Sequence, residues 1–366
     1  MTLHETLLEA RARPTVAAAA GAAWQRLGQP GTWWDGNQRR AIAVEALRAL
    51  DCEGCGARAQ ALSPASVDAR HTGSGPLETT TVDAVHRVSV DASRLTATWA
   101  HEIEDEGITP PHLVELIAIV ATTRALETLC RGVGAHWPDL PAVETGEPTR
   151  DLPSGAMVHT AWVPTVPPDR ATGASGELLR RRRSTLPPGL AEAMAGKVGN
   201  VVLALTLVPE EHVAWHSVGR ALYHAEETAL TPAQRELVAT TTSVFNDCFY
   251  CSSTHLLRLE ASEEELDPSV VVTSDERADS GVEHGQALRR FSMATLRSDQ
   301  AALPEARRAV ADALGEEAVS DAAAITAYFN GMNRIADATG TEINPEITPP
   351  DAVLDHLPAA RRRAHD

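Results

Sequence analysis

The chain has 366 residues, of which only 4% are aromatic, and a formal net charge of −18 at pH 7. This length supports two ordinary domains, and the scarcity of aromatic residues favours helices over a β-sandwich or barrel. The negative charge disfavours nucleic-acid binding, which needs a broad basic surface. No apolar stretch reaches the ~20 residues of a membrane-spanning helix. We therefore expect a soluble, cytoplasmic protein whose partners include neither nucleic acid nor a membrane.

Helices account for most of the predicted structure, because apolar residues recur at intervals of three and four between breaks rich in Pro and Gly. In chain order, residues 37–50 form the first clear helix. Thr109-Pro110 offers an N-cap followed by proline, and residues 112–129 are predicted as one long buried helix or two tightly joined helices. Thr231-Pro232-Ala233-Gln234 repeats this start with a capping box. C-terminal helices extend to residue 338 and close at Gly340.

One long irregular stretch divides the chain. Residues 137–188 are dense in Pro, Gly and charge, which predicts a connection between two domains. We expect an N-terminal domain at 1–150, a linker at 151–188 and a C-terminal domain at 189–366. The linker contains the run Arg180 to Arg183, which we interpret as solvated surface rather than as an anion site.

An internal repeat with an offset of 121 residues organises the sequence. Both copies follow a Thr-Pro start, and Glu115 of the first copy corresponds to Glu236 of the second. The remaining pairs are Glu127 with Cys248, Cys130 with Cys251, and Gly134 with His255. The pattern predicts an all-α fold of two copies of one helical unit, in which the N-terminal copy is degenerate and structural.

The second copy places two thiols and an imidazole on one helix. A helix advances about 100° per residue, so Cys248, Cys251 and His255 share one face. Asn246 or Asp247 can cap this helix, which would put Cys248 in its first turn, where the helix dipole stabilises a thiolate. We therefore expect a lowered pKa for the Cys248 thiol.

Glu236 joins this group only if the chain turns. It precedes Cys248 by twelve residues, which is about 18 Å along one continuous helix. A turn near Asn246-Asp247 would fold the next helix back, so that the carboxylate reaches His255 and raises its basicity. Glu236 and His255 would then relay a proton from a cysteine, which activates a thiol nucleophile.

The spacing Glu-x11-Cys-x2-Cys-x3-His resembles the active-site motif of the alkylhydroperoxidase AhpD family within the carboxymuconolactone decarboxylase-like superfamily. Glu236, Cys248, Cys251 and His255 occupy its four positions, and the resemblance is close over residues 230–259. Well-studied members have a histidine between the cysteines, where this chain has Phe-Tyr.

The resemblance implies an all-helical homo-oligomer that reduces hydroperoxides with its thiols as an antioxidant peroxidase. We expect no cofactor for this activity and no metal ligand among the site residues. A dithiol donor, lipoyl- or thioredoxin-like, would restore the enzyme. By the same resemblance, Cys251 is the attacking thiol, deprotonated through His255 and Glu236, and Cys248 resolves the sulfenic acid to a disulfide.

Three alternatives stay open for this constellation. Cys248, Cys251, His255 and Glu236 are also possible zinc ligands, although structural zinc usually sits on loops or knuckles rather than on one helix. Decarboxylating members of the superfamily use acid and base instead of thiols, which would make the chain an enzyme acting on a small organic acid or a specialised metabolite. A non-catalytic helical binding or assembly protein is the third.

A second C-x-x-C pair, Cys52 and Cys55, lacks a histidine at the later position of the motif, where Ala59 stands. The pair is compatible with a second redox couple, with passing electrons to the main site, or with a place at a helix end. His86 is interpreted as a buried core residue.

Overall fold

The computed structural model describes residues 1–182, 192, 194, 197–262, 265–273 and 275–356. In these ranges the chain forms sixteen α-helices and no β-strand, apart from two isolated bridges, so the predicted all-α class is confirmed. Residues 183–188 of the predicted linker, with Arg183, and the final residues 357–366 lie outside the described part.

The N-terminal half contains eight helices in its described residues: α1 (Leu3–Glu9), α2 (Pro14–Arg26), α3 (Gly36–Arg48), α4 (Glu53–Gln60), α5 (Thr79–Val90), α6 (Ala97–Asp105), α7 (Pro110–Val133) and α8 (Gly173–Arg182). The described C-terminal half contains eight more: α9 (Pro209–Leu222), α10 (Pro232–Phe245), α11 (Phe249–Glu260), α12 (Pro268–Val271), α13 (Gly285–Arg297), α14 (Leu303–Leu314), α15 (Glu316–Ala338) and α16 (Asp351–His356).

Two of the helix starts follow from their sequences. At α10 the Thr231 hydroxyl accepts from the Gln234 amide at 3.2 Å and the Gln234 side chain accepts from the Thr231 amide at 3.0 Å, so the predicted capping box is present. The Thr109-Pro110 start of α7 is also observed, and α7 then continues without a break to Gly134, whose φ of 79° ends it. The open choice between one helix and two is therefore decided in favour of one.

The two longest described helices, α7 and α15, pack along each other in the centre of the molecule. Small residues allow the close approach: a Cβ on Gly331 would lie 2.8 Å from the Ala121 carbonyl oxygen, and one on Gly132 would lie 2.7 Å from the Ala323 Cβ. The largest apolar cluster, which includes Val120 of α7, contains residues from both predicted domains. The domain boundaries and the duplication stay predictions.

Around this pair, α3 and α5 cover α7, while α10 packs against α11, α13 and α15. The hairpin of α10 and α11 is the element that positions the predicted site. Among the described helices, none combines the length and the apolar character needed to cross a bilayer.

Candidate active site

A tight turn joins α10 to α11 at the place where the sequence predicts one. Asp247 has a φ of 56°, in the left-handed region, and the Cys248 amide donates to the Ser243 carbonyl at 3.0 Å. Helix α11 therefore runs back along α10. The turn brings residues that are distant along the chain to one place.

The predicted cap of α11 is wrong in detail. Cys248 itself is the N-cap residue, with no side-chain cap hydrogen bond. The Asn246 amide instead donates to the side-chain oxygens of Asn333 and Asn330 on α15, at 2.8 and 3.2 Å. Packing against α15 thus outweighs the local capping preference of Asn246.

The carboxylate and the imidazole of the motif are in direct contact. Nδ1 of His255 lies 2.7 Å from Oε2 of Glu236, and both side chains are buried. This contact fixes the ring orientation and makes Nε2 the nitrogen that can accept a proton. The position of the turn, which sequence spacing predicts, produces the pair.

Two further residues hold the same carboxylate. The Tyr223 hydroxyl donates to Oε1 of Glu236 at 2.5 Å, and Nε of Arg258 donates to the same oxygen at 2.9 Å. Sequence reasoning missed both residues. Arg258 follows His255 by three residues on α11, and this spacing could have indicated that it lies near the site. Tyr223 lies at the end of another helix, α9, and nothing in the sequence connects it with Glu236.

These neighbours set the charge of the pair. Burial alone would raise the pKa of Glu236, but His255, Arg258 and Tyr223 outweigh it and lower the pKa to about 2. Burial lowers the pKa of His255, against the opposing effect of Glu236. Because Arg258 is always cationic, it keeps Glu236 ionised beside a neutral imidazole. A neutral His255 is the form that can act as a base at neutral pH.

The expected lowering of the Cys248 pKa is wrong. Burial raises the pKa of this thiol well above its usual range, and Cys251 raises it further. Asp337 of α15 lies beside Cys248, and its own pKa is raised strongly by burial and then by this thiol. The Cys248 side chain is fully buried, so desolvation outweighs the helix dipole.

A cavity of about 100 Å³ adjoins one of the two cysteines. Cys251 and His255 line it, together with Tyr223, Tyr250 and Phe329, whereas Cys248 does not. The His255 and Phe329 rings form a T-shaped pair with centroids 4.3 Å apart. A small molecule in this cavity would therefore reach Cys251 and the imidazole first.

The segment around Glu115 and Cys130, which the sequence pairs with the motif, has a different geometry. Because α7 is continuous, Glu115 and Cys130 are about 22 Å apart along one helix axis. Glu115 pairs with the buried guanidinium of Arg39, which also lies 3.0 Å from Glu211. Burial raises the pKa of Glu115 to about 7 against the effect of Arg39, and burial raises that of Cys130 to about 12. This segment lacks a hairpin like the one that joins α10 to α11.

Comparison with known proteins agrees with the motif. Residues 209–273, which contain Glu236, both cysteines and His255, match the model of the carboxymuconolactone decarboxylase family. The predicted resemblance is confirmed for this region. The family region spans α9 to α12, so α15, which contributes Phe329 and Asp337, lies outside it.

A solved structure is similar as well: the core of alkylhydroperoxidase AhpD, an uncharacterized peroxidase-related protein from Ralstonia eutropha JMP134. It is 28% identical, covers 46% of this chain and 94% of its own, and has a TM-score of 0.35. A comparison with the curated proteins found no match.

Proposed function

We propose that this chain is a thiol-dependent peroxidase in which Cys251 reduces a hydroperoxide and Cys248 closes a disulfide with it. The observation that supports this most is the buried contact between Glu236 and His255, with the imidazole and Cys251 lining one cavity. The arrangement has the parts of an activated nucleophile: a thiol, a base beside it and a carboxylate that orients the base.

In the first step Nε2 of His255 takes the proton of the Cys251 thiol. The thiolate attacks the outer oxygen of the hydroperoxide, an S–O bond forms and the O–O bond breaks. The leaving alkoxide receives the proton held by His255, which gives an alcohol and a sulfenic acid on Cys251. The imidazole is neutral again at the end of this step.

In the second step the Cys248 sulfur attacks the sulfenic sulfur of Cys251, releasing water and forming a disulfide. The two thiols have then supplied the two electrons that reduced the peroxide. The raised pKa of buried Cys248 agrees with a thiol that resolves rather than attacks. A dithiol of the lipoyl or thioredoxin class would reduce the disulfide, becoming a disulfide itself.

The alternatives receive less support. Both oxygens of Glu236 are engaged by His255, Tyr223 and Arg258, so this carboxylate is not free to be the fourth ligand of a metal held by the cysteines. An acid–base reaction without thiols would use the same Glu236–His255 pair, and it leaves the placement of Cys251 at the cavity unexplained.

The test is peroxide consumption with a dithiol donor, together with the titration of free thiols. We expect the native protein to lose two thiols as one Cys248–Cys251 disulfide. Cys251→Ser should abolish turnover, whereas Cys248→Ser should accumulate a sulfenic acid that dimedone traps. Equal activity in the two variants, or no thiol loss with peroxide, would overturn the proposal.

A further inference from the structure

A second cluster of cysteines and histidines lies in the N-terminal half, away from the candidate active site. Cys52, Cys55, His71 and His86 each place one potential ligand atom within 4.8 Å of the other three. Cys52 precedes α4 and Cys55 lies in its first turn, His71 lies in the following loop, and His86 belongs to α5. Among the described residues, this is the one group of Cys, His, Asp or Glu side chains that comes close enough together to hold a metal ion.

The distances within the cluster match those of a tetrahedral metal site. Nε2 of His71 is 3.5 Å from the Cys52 sulfur and 3.3 Å from the Cys55 sulfur, and Nδ1 of His86 is 3.3 Å from the Cys55 sulfur. Zn–S and Zn–N bonds of about 2.3 and 2.0 Å at a tetrahedral angle separate sulfur from nitrogen by roughly 3.5 Å. The side chains are therefore arranged around a point where one ion fits.

Each histidine is also held as a zinc ligand usually is. The opposite nitrogen of His71, Nδ1, lies 2.9 Å from a carboxylate oxygen of Asp83. The opposite nitrogen of His86, Nε2, lies 3.3 Å from a carboxylate oxygen of buried Glu45. A carboxylate behind the imidazole fixes the tautomer that points its lone pair at the metal. Two such pairs, each aimed at the same point, are an independent sign of a built site.

We propose that Cys52, Cys55, His71 and His86 bind one Zn²⁺ in a structural site. Two thiolates and two imidazoles are a donor set that favours zinc, and four protein ligands leave no open position for a substrate. A two-iron cluster needs its cysteine and histidine ligands on separate irons, which is wider than 4.8 Å allows. The ion ties the loop between α4 and α5, residues 61–78, to the helices on both sides.

The zinc site also accounts for the second C-x-x-C pair, for which the sequence leaves two redox uses and a place at a helix end open. The ligand spacing Cys-x2-Cys-x15-His-x14-His is present in the sequence, but the irregular stretch around His71 has no periodic pattern that would place this residue beside the two cysteines. The zinc site does not depend on the peroxidase proposal, because the two sites share no residue.

The experiment measures metal in the full chain, purified without chelator, by plasma mass spectrometry. We expect one zinc per chain, lost in Cys52→Ser and in His86→Ala. There are two matched controls. One is Cys130→Ala, which changes a buried cysteine outside both sites, and the other is the Cys248→Ser/Cys251→Ser double variant. Both controls should keep the zinc. Zinc that survives Cys52→Ser and His86→Ala, or that leaves with the double variant, would place the ion elsewhere and overturn the proposal.

A second measurement uses the native chain and therefore does not depend on whether the variants fold. Cobalt(II) added to the chelated, reduced protein should give the visible bands of a tetrahedral site and the charge transfer of a thiolate ligand, and zinc should displace both. Alkylation of Cys52 and Cys55 should be slow in the metal-bound protein and fast after chelation. A protein that takes up neither metal, or that holds a Cys52–Cys55 disulfide as purified, would contradict the assignment.

Discussion

His255 Nδ1 lies 2.7 Å from Oε2 of Glu236 although the two residues are nineteen positions apart along the chain. The contact exists because Asp247 adopts a left-handed conformation that reverses the chain between α10 and α11. It joins a carboxylate, ionised by its neighbours, to an imidazole that burial keeps neutral. The proposed reaction depends on this pair.

Neutralising the carboxylate should slow the first step. In Glu236→Gln the ring of His255 loses its charged acceptor and much of its basicity, so we expect the rate of sulfenic acid formation to fall about 10²-fold or more. Stopped-flow mixing with peroxide measures this rate. Glu260→Gln is the matched control, because Glu260 is an exposed acid at the end of the same helix, α11, and should react as the native protein does. An unchanged rate in Glu236→Gln would remove the proton relay.

The same carboxylate makes stability depend on pH. The pKa of Glu236 is about 2 in the folded state against a reference value of 4.5, so the unfolded chain binds the proton more readily. Its contribution is complete above pH 4.5 and is lost as the pH falls towards 2, and it amounts to roughly 3 kcal/mol. Urea unfolding from pH 7 to pH 3 should show a steeper loss of stability in the native protein than in Glu236→Gln. Parallel curves would contradict the lowered pKa.

His255 also makes the fold less stable as the pH falls, but at higher pH than Glu236 does. Its pKa is lowered by burial from the reference value of 6.5, so protonation favours the unfolded chain. Stability should begin to fall as the pH drops below 6.5. In His255→Asn this part of the decline should be absent, and a decline identical to that of the native protein would show that the imidazole is not responsible. Nuclear magnetic resonance titration of the ring protons checks the direction of the shift.

Cys130, in the segment predicted to be a degenerate copy of the motif, should be inert towards peroxide. Cys130 is buried, and its pKa is raised to about 12, so its thiolate is scarce at neutral pH. Cys130→Ala should therefore turn over peroxide within about twofold of the native rate, because this thiol takes no part in the reaction. Steady-state assays with a dithiol donor measure this. A large loss of activity without a loss of stability would assign Cys130 a catalytic part.

Packing between α7 and α15 gives a prediction about stability. A methyl group on Gly331 would lie 2.8 Å from the Ala121 carbonyl and even closer to the Trp215 ring, so Gly331→Ala should destabilise the fold by about 1–3 kcal/mol. Gly56→Ala in α4 is the control, because nothing lies within 4 Å of its added methyl, and it should be neutral or slightly stabilising. Thermal unfolding compares the two. Similar melting temperatures would show that the helices can move apart at little cost.

Much of the candidate site was predictable from the sequence. The Thr231–Gln234 capping box gives the start of α10, and the spacing from Glu236 to His255 requires a turn near Asn246-Asp247, where the structure has it. Both inferences succeed because they depend on neighbours in the chain. The predicted cap of α11 was wrong because it depends on a distant residue: Asn246 forms its hydrogen bond with Asn333 on α15, almost ninety residues away.

Sequence by itself determined that the chain is helical, where the α10–α11 hairpin lies and which four residues match the motif, because periodicity and spacing are local properties. Tertiary structure decided the ionisation of these groups and which thiol faces the cavity. Burial depends on packing between distant elements, and so do the contacts of Glu236 with Tyr223 and of Cys248 with Asp337. The meeting of His71 with Cys52 and Cys55 is of the same kind, because a loop without a periodic pattern takes its position from the helices that it touches.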